Sequence, residues 1–381
     1  MHIAFFTVRM RKGFGVDLVV DRWARGLLDE RNPVAYRVTV FCFDYDGETY
    51  KDAPYEIEPL HLSRDKANKF LPLLEADTAN TIRGLKREIQ SGKREKIDIA
   101  LPVSFPFYGA GRILGVPTVH LHFGNPPTAG LKWGTRANRC YLDRSDVRHM
   151  RQCERVIAIS AFLKNELPQD VRAKTDVVYP GADHLPQVSD DAVKAMRRRI
   201  ETEAGVGDSE VFTLSVSRLD YKAHPYKGIL ETVNLVNELR ESGTKIRLVL
   251  AGVGARASVA ELRSRGAIVI EAPSFVELAA LYHCCNIFVS LSSWEGFGLP
   301  VAEAATAGMP TIALSVAAHR ENAVAYPVAS IAEAAQAISE LAANPDLRRE
   351  KGAQAAEMAR QFTWRKSCDE FAEAFISRDL R

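Results

Sequence analysis

The stretch Ser293-Trp-Glu-Gly-Phe-Gly-Leu-Pro-Val-Ala-Glu-Ala-Ala-Thr-Ala-Gly-Met-Pro310 follows directly on the apolar run Asn286 to Leu291. An apolar strand ending in a glycine-bearing loop and then an alanine-rich helix make a strand–loop–helix corner. The backbone amides of such a corner can receive a phosphate or a sugar. Glu295 sits on the loop and Glu303 in the helix, eight positions apart, and both are expected to face one crevice. Carboxylates accept hydrogen bonds from hydroxyls while amides hold anionic oxygens, a combination that suits a nucleotide sugar. The plainer reading is one loop carboxylate and one solvated helix carboxylate.

Outward from this corner, short apolar or β-branched runs alternate with longer helical stretches through most of the chain. That is the sequence form of parallel sheets covered by helices, and it predicts an α/β fold. In the first half the strands are expected at Ile3 to Val8, Tyr36 to Phe43, Ile97 to Val103, Pro117 to Leu121, Arg155 to Ile159 and Asp176 to Tyr179. A second series runs through Val211 to Val216, Ile246 to Ala251, Ile268 to Ile270, Ile287 to Val289 and Thr311 to Leu314. Between them Tyr-Pro-Gly-Ala-Asp-His-Leu-Pro-Gln, residues 179–187, reads as a linker. With 381 residues the chain exceeds one usual core, so two domains are expected, residues 1–183 and 184–364.

The Ser293–Pro310 stretch resembles the Glu, seven residues, Glu signature of the retaining glycosyltransferases of family 4, and the intervening Gly296, Phe297, Gly298, Leu299 and Pro300 make the match specific. Tyr179-Pro-Gly-Ala-Asp183 is similar to that family's inter-domain link. The resemblance implies the GT-B fold, two Rossmann-like domains facing across a cleft, with a C-terminal helix, 365–381, returning to the first domain. It further implies that Glu295 contacts the donor sugar, that the amides of Gly296 to Leu299 hold sugar and phosphate, and that Glu303 binds the ribose hydroxyls.

In the second half, Leu214 to Leu219 carries Arg218 at a strand end, and Lys227-Gly228 opens the next helix. Negative charge builds on the leaving oxygens when a glycosidic bond to a diphosphate breaks, and fixed guanidinium and ammonium groups stabilise it. Arg218 and Lys227 are therefore expected as leaving-group clamps, with Lys222 the competing cation because the insert Ala223 to Tyr226 blurs the register. Gly252 and Gly254 end another strand. They suit either close approach to a nucleotide, as the resemblance implies, or a tight turn with no ligand. The resemblance places backbone contacts to the base near Pro273, Ser274 and Phe275. Ala317-Ala-His-Arg-Glu321 occupies a position that is usually glycine-rich in the family.

In the first half, Gly13 and Gly15 follow the first strand and can line an amide turn over the donor phosphates. A third glycine of the dinucleotide fingerprint is missing, which lowers an oxidoreductase reading. His120 and His122 stand at strand spacing on one face. His122 is the functional candidate, orienting the donor sugar near the acceptor by the resemblance, and His120 fits a core imidazole. Zinc between them lacks a third ligand. Asp44-Tyr-Asp46 superficially matches the metal-binding motif of another transferase class, but two acids and Gly47 after a strand are ordinary turn residues.

Fifty basic against 48 acidic residues give a net charge of +2, which argues against a nucleic-acid partner. The six cysteines have no zinc or redox spacing, and reduced thiols in a cytoplasmic protein account for them. The chain shows neither a signal peptide nor an apolar stretch of spanning length. Basic residues from Lys66 to Lys96 leave room for weak peripheral membrane contact, although Glu75, Asp77 and Glu88 interrupt the run. The expected activity is retaining transfer of a hexose from a nucleoside diphosphate sugar, a UDP-sugar first and GDP-mannose second. The acceptor is a hydroxyl on a small molecule, glycan or lipid-linked compound, and neither cofactor nor metal is needed. Rivals are a catalytically silent nucleotide-sugar-binding subunit and a sugar-nucleotide epimerase of related fold.

Overall fold

The computed structural model describes residues 1–62, 70–128, 131, 133–207 and 210–376. Lys66, at the start of the basic run, and residues 377–381 of the C-terminal segment lie outside the described residues. The chain divides into two compact units. The first comprises Met1–Thr128, Lys132–Tyr179 and Arg365–Arg381, and the second Ala129–Leu131 and Pro180–Trp364.

The first unit holds β1 (His2–Met10), β2 (Arg37–Tyr45), β3 (Glu56–Pro59), β4 (Ile99–Pro102), β5 (Val119–His122), β6 (Arg155–Ala158) and β7 (Thr175–Val177). Their order is β3-β2-β1-β4 and then β5-β6-β7, with every pairing parallel. A parallel bridge between Ala100 and Thr118 links β4 to β5. On one face Phe6 and Phe41 stack at 5.1 Å. Against the other, the C-terminal helix Trp364–Ile376 lays Phe371 on Trp23, centroids 4.3 Å apart, and Trp23 Nε1 donates to Ser367 Oγ at 2.9 Å.

The second unit holds β8 (Val211–Val216), β9 (Ile246–Gly252), β10 (Ile268–Glu271), β11 (Ile287–Ser290), β12 (Thr311–Leu314) and β13 (Tyr326–Val328) in one parallel sheet, order β10-β9-β8-β11-β12-β13. Alternate residues feed opposite cores: Leu248 and Leu250 of β9 pack on one side, Val249 and Ala251 on the other. Burial on both faces explains why these strands read as continuous apolar runs.

The unit boundary falls at Tyr179/Pro180, earlier than the expected residue 183, because the following residues are tied to the end of the second unit. Ala182 N donates to Phe362 O at 2.9 Å, and Asp183 Oδ1 accepts from Trp364 N at 2.7 Å. The sequence reading also omitted β3, β13 and the helix Asp190–Ala204. Ser189 caps that helix through the Ala192 amide and Gly205 closes it in a left-handed conformation, both legible signals.

Candidate active site

In the second unit the strand order reverses between β8 and β11, the point where ligands bind at the C-terminal ends of parallel strands. Arg218 lies in the turn after β8, half-buried. After β11 the loop Leu291–Gly298 runs into the helix Leu299–Thr306, which carries Glu303. Between β8 and the helix Ile229–Glu241, a short turn Pro225–Lys227 brings Lys227 to the same edge.

Both carboxylate oxygens of Glu295 accept from Lys227 Nζ, each at 2.8 Å. The two side chains are 18% and 13% exposed. Burial pushes Glu295 up, but the Lys227 ammonium outweighs it and holds the acid below its ordinary range. Opposite charges 4 Å apart attract by about 4 kcal/mol at an effective dielectric of 20, while an uncompensated buried charge costs about 3–5 kcal/mol. Pairing is thus what allows either group to sit here. Lys222 goes elsewhere, to Glu261 at 3.0 Å on the surface, so Lys227 is the cation at this edge.

Backbone contacts fix the loop from two sides. Ser293 N donates to Tyr226 O at 2.8 Å and Ser292 Oγ to Lys227 O at 3.3 Å. From the other side, buried Asn322 donates through Nδ2 to Phe297 O at 2.6 Å and Gly298 O at 3.1 Å, and Ala318 N reaches Glu295 O at 3.4 Å. Gly228 is required where these segments meet: its φ is +64° and a Cβ would stand 2.2 Å from Leu291 O. His319, buried beside this loop, donates from Nδ1 to Leu314 O at 2.9 Å, which leaves Nε2 as the lone-pair nitrogen with no hydrogen-bond partner among the described residues. Burial lowers its pKa.

Glu303 departs from the picture of an acid open to a crevice. It is 5% exposed, its Oε2 accepts from Tyr282 Oη at 2.7 Å, and its Oε1 lies 3.4 Å from His184 Nε2. Burial pushes its carboxyl up to about 7. Ser274 is engaged in a capping box: its amide donates to Glu277 Oε2 at 2.9 Å and its hydroxyl accepts from Glu277 N at 3.1 Å, which takes up the backbone donor and leaves the hydroxyl hydrogen to donate. Gly252 serves a close turn, since a Cβ would meet Ser217 O at 1.8 Å. Gly254 packs on Leu219 in the same turn. Both glycines therefore shape the β8 end that presents Arg218.

In the first unit, Gly13 lies in the turn after β1 and Gly15 starts the helix Gly15–Leu27. Buried Asp17 fixes that turn, accepting from Arg11 N at 2.9 Å with Arg9 Nε 3.4 Å away. Asp44 pairs with Arg11 at 2.5 Å and Asp46 accepts from Thr49 Oγ1 at 2.5 Å, as turn acids do. His120 and His122 are both buried on β5, and both face Asp146 from the helix Trp133–Gln152. Among the described residues no group of three or more His, Cys, Asp or Glu side chains is placed to hold a metal. Sequence reasoning missed Asp146, Asp17, Tyr282, His319 and Asn322. Only the Ser274-Phe-Val-Glu277 capping box was written plainly in the sequence.

A family profile described as Glycosyltransferase Family 4 matches residues 15–184, and one described as Glycosyl transferases group 1 matches residues 211–344. The chain belongs to glycosyltransferase family 4. Among curated relatives of this glycosyltransferase, trehalose synthase of Pyrococcus horikoshii is 25% identical over 58% of this chain and 59% of its own. The D-inositol 3-phosphate glycosyltransferase of Gordonia bronchialis is 26% identical over 53% and 47%. The match thus spans about half the length of these relatives. Among solved structures, Anabaena HepE in complex with UDP and glucose superposes with a TM-score of 0.75 at 17% identity, over 99% of both chains. Sucrose-phosphate synthase of Thermosynechococcus elongatus gives 0.76 at 17% identity over 98% of both. This likeness establishes the GT-B fold with its two Rossmann-like domains. Among the described residues no helix is long and apolar enough to cross a membrane.

Proposed function

We propose that this glycosyltransferase moves a hexose from a nucleoside diphosphate sugar, a UDP-sugar before GDP-mannose, to a hydroxyl acceptor with retention of configuration and without a metal. The observation that carries the reading is the Lys227–Glu295 pair at the β8/β11 reversal, beside the turn holding Arg218. An ammonium has three donors, so two on Glu295 leave one for a phosphate oxygen. Arg218 adds a planar fork suited to the same diphosphate. Glu295, fixed through Lys227 and Ala318, is positioned to take sugar hydroxyls, and the loop amides from Gly296 to Leu299 lie at a helix start suited to phosphate. Glu303 takes the ribose role with its carboxyl already oriented by Tyr282. UDP in the HepE complex supports UDP as the nucleotide to test first.

Retention follows a front-face path in this reading. The C1–O bond to the diphosphate breaks, the acceptor oxygen bonds C1 on the same face, and the acceptor's proton passes to the departing phosphate oxygen held by Lys227 and Arg218. Neither glutamate acts as a nucleophile. The test is thermal shift against UDP, GDP, ADP and TDP, then nucleotide release from labelled donors with and without EDTA. UDP at about 100 times its Kd adds about 2.7 kcal/mol of stability. Release of UDP that EDTA does not change, with the anomeric configuration kept in the product, is the expected result. Inversion, or dependence on added divalent cation, overturns the reading.

A further inference from the structure

Both histidines of β5 converge on one carboxylate that no motif announced. Asp146 is 3% exposed. Its Oδ1 lies 2.7 Å from His120 Nε2, and its Oδ2 lies 3.3 Å from His122 Nδ1 and 3.0 Å from Asn125 Nδ2, which donates to it. Burial alone would raise this acid, but the imidazoles facing it hold the carboxyl well below its usual range, so it is ionised. An ionised carboxylate only accepts, and each ring nitrogen turned toward it therefore carries a hydrogen. For His120 that leaves Nδ1 as the lone-pair nitrogen, and Nδ1 is indeed buried with no hydrogen-bond partner among the described residues. For His122 the same logic places hydrogen on Nδ1 and the lone pair on Nε2.

We propose that Asp146 is a positioning residue that locks His122 in the Nδ1–H form, so that Nε2 accepts a hydrogen bond from a hydroxyl of the sugar rather than donating one. A second carboxylate stands close by on the same helix, Asp143, but it does not hold the ring: its Oδ1 is buried without a partner among the described residues. Asn125 completes the clamp by donating to the same Oδ2 that faces His122. A hydroxyl that must donate to His122 is a sharper demand than general polarity, because a deoxy or fluoro sugar at that position has no hydrogen to give. This inference rests on the proposed placement of His122 against the donor sugar.

The test uses the full chain labelled with ¹⁵N-histidine and long-range proton–nitrogen correlation, with His122 assigned by the signal lost in His122→Gln. The wild type is expected to show hydrogen on Nδ1 and a bare Nε2. Asp146→Ala is expected to move the hydrogen to Nε2. Asp146→Asn keeps an acceptor oxygen for Asn125 and His122 and so preserves the His122 form, turning the tautomer of His120 instead. Turnover of UDP-glucose should fall by up to about tenfold in Asp146→Ala, the loss expected of His122 itself, and be largely restored in Asp146→Asn. Hydrogen on Nε2 in the wild type, or Asn as damaging as Ala, overturns the proposal. Spectra that change as described with turnover unmoved uphold Asp146's role and overturn the placement of His122 in the reaction. If Asp146→Ala does not fold, the wild-type and Asn spectra decide alone.

Discussion

The two units build polar groups at their sheets by opposite means. In the second, Lys227 and Glu295 are full opposite charges brought together by two short turns that flank one strand reversal. In the first, Asp146 on a helix collects two rings and an amide. A charge pair is intolerant: remove one member and the other is a buried ion worth about 3–5 kcal/mol of instability. Asp146 keeps two other polar neighbours when one ring is lost, so that loss is milder. The second unit is therefore where substitutions should be decisive, and the first where they should be graded.

The largest effect is expected at Lys227. Lys227→Ala removes a phosphate donor and strands Glu295, so turnover should fall about 10²- to 10³-fold, with a loss of stability as well. Adding Glu295→Gln removes the stranded charge, and the double variant should regain stability while turnover stays low. Thermal melts and nucleotide-release rates on the three variants separate the two losses. Recovery of turnover together with stability would mean that Lys227 only neutralises Glu295.

Glu303 comes next, through pH. Its carboxyl sits near 7 in the folded protein against an ordinary 4.5. Between those values the native state keeps a proton that the unfolded chain has released, so stability falls as pH rises across the window and levels off above it. The full difference is about 3 kcal/mol. Glu303→Gln keeps an acceptor for Tyr282 and cannot ionise. Its unfolding free energy should lack that decline from pH 4.5 to 8, and parallel curves for variant and wild type would contradict the buried, protonated acid. His122→Gln should cost less, about tenfold in turnover, as fits one net hydrogen bond. A loss as deep as that of Lys227→Ala would erase the contrast between the units.

Much of this was legible in sequence because parallel sheets write themselves as alternating strand and helix runs, and because the Ser293–Pro310 corner is local. What failed was long-range. Asp146 meets His122 only through the packing of a helix on β5, and nothing in a helix carrying Arg136, Arg139, Arg144 and Arg148 marks one acid as buried. The packing of Tyr282 and His184 against Glu303 joins residues far apart in the chain, and no local pattern marks it. Lys222 competes with Lys227 in the sequence because the insert Ala223 to Tyr226 blurs the register, and the turn Pro225–Lys227 with Gly228 removes that competition. Ser274 also heads a helix, a role that its Ser-x-x-Glu pattern announces.

The smallest predicted effect concerns the segment whose missing glycines argued against it. Ala317 adopts φ +48°, the left-handed conformation that glycine takes without strain, and so keeps the backbone course expected of a glycine-rich turn while Ala318 N reaches Glu295 O. Strain of about 1–2 kcal/mol at such a residue is opposed by the extra freedom of an unfolded glycine, about 0.4–1 kcal/mol. Ala317→Gly should therefore stabilise by about 0 to 1.6 kcal/mol, and donor affinity should not change because the turn is already formed. Ala272, at φ +47° after β10, offers a matched site away from Glu295, and Ala272→Gly should give the same small gain. Ala317→Val separates the two positions: a β-branched residue resists this conformation, so the turn must shift and Glu295 with it, and affinity for UDP-glucose should fall alongside stability. If Ala317→Val loses stability but keeps its affinity, the turn does not hold Glu295, and the loop's position rests on its contacts with Tyr226, Lys227 and Asn322.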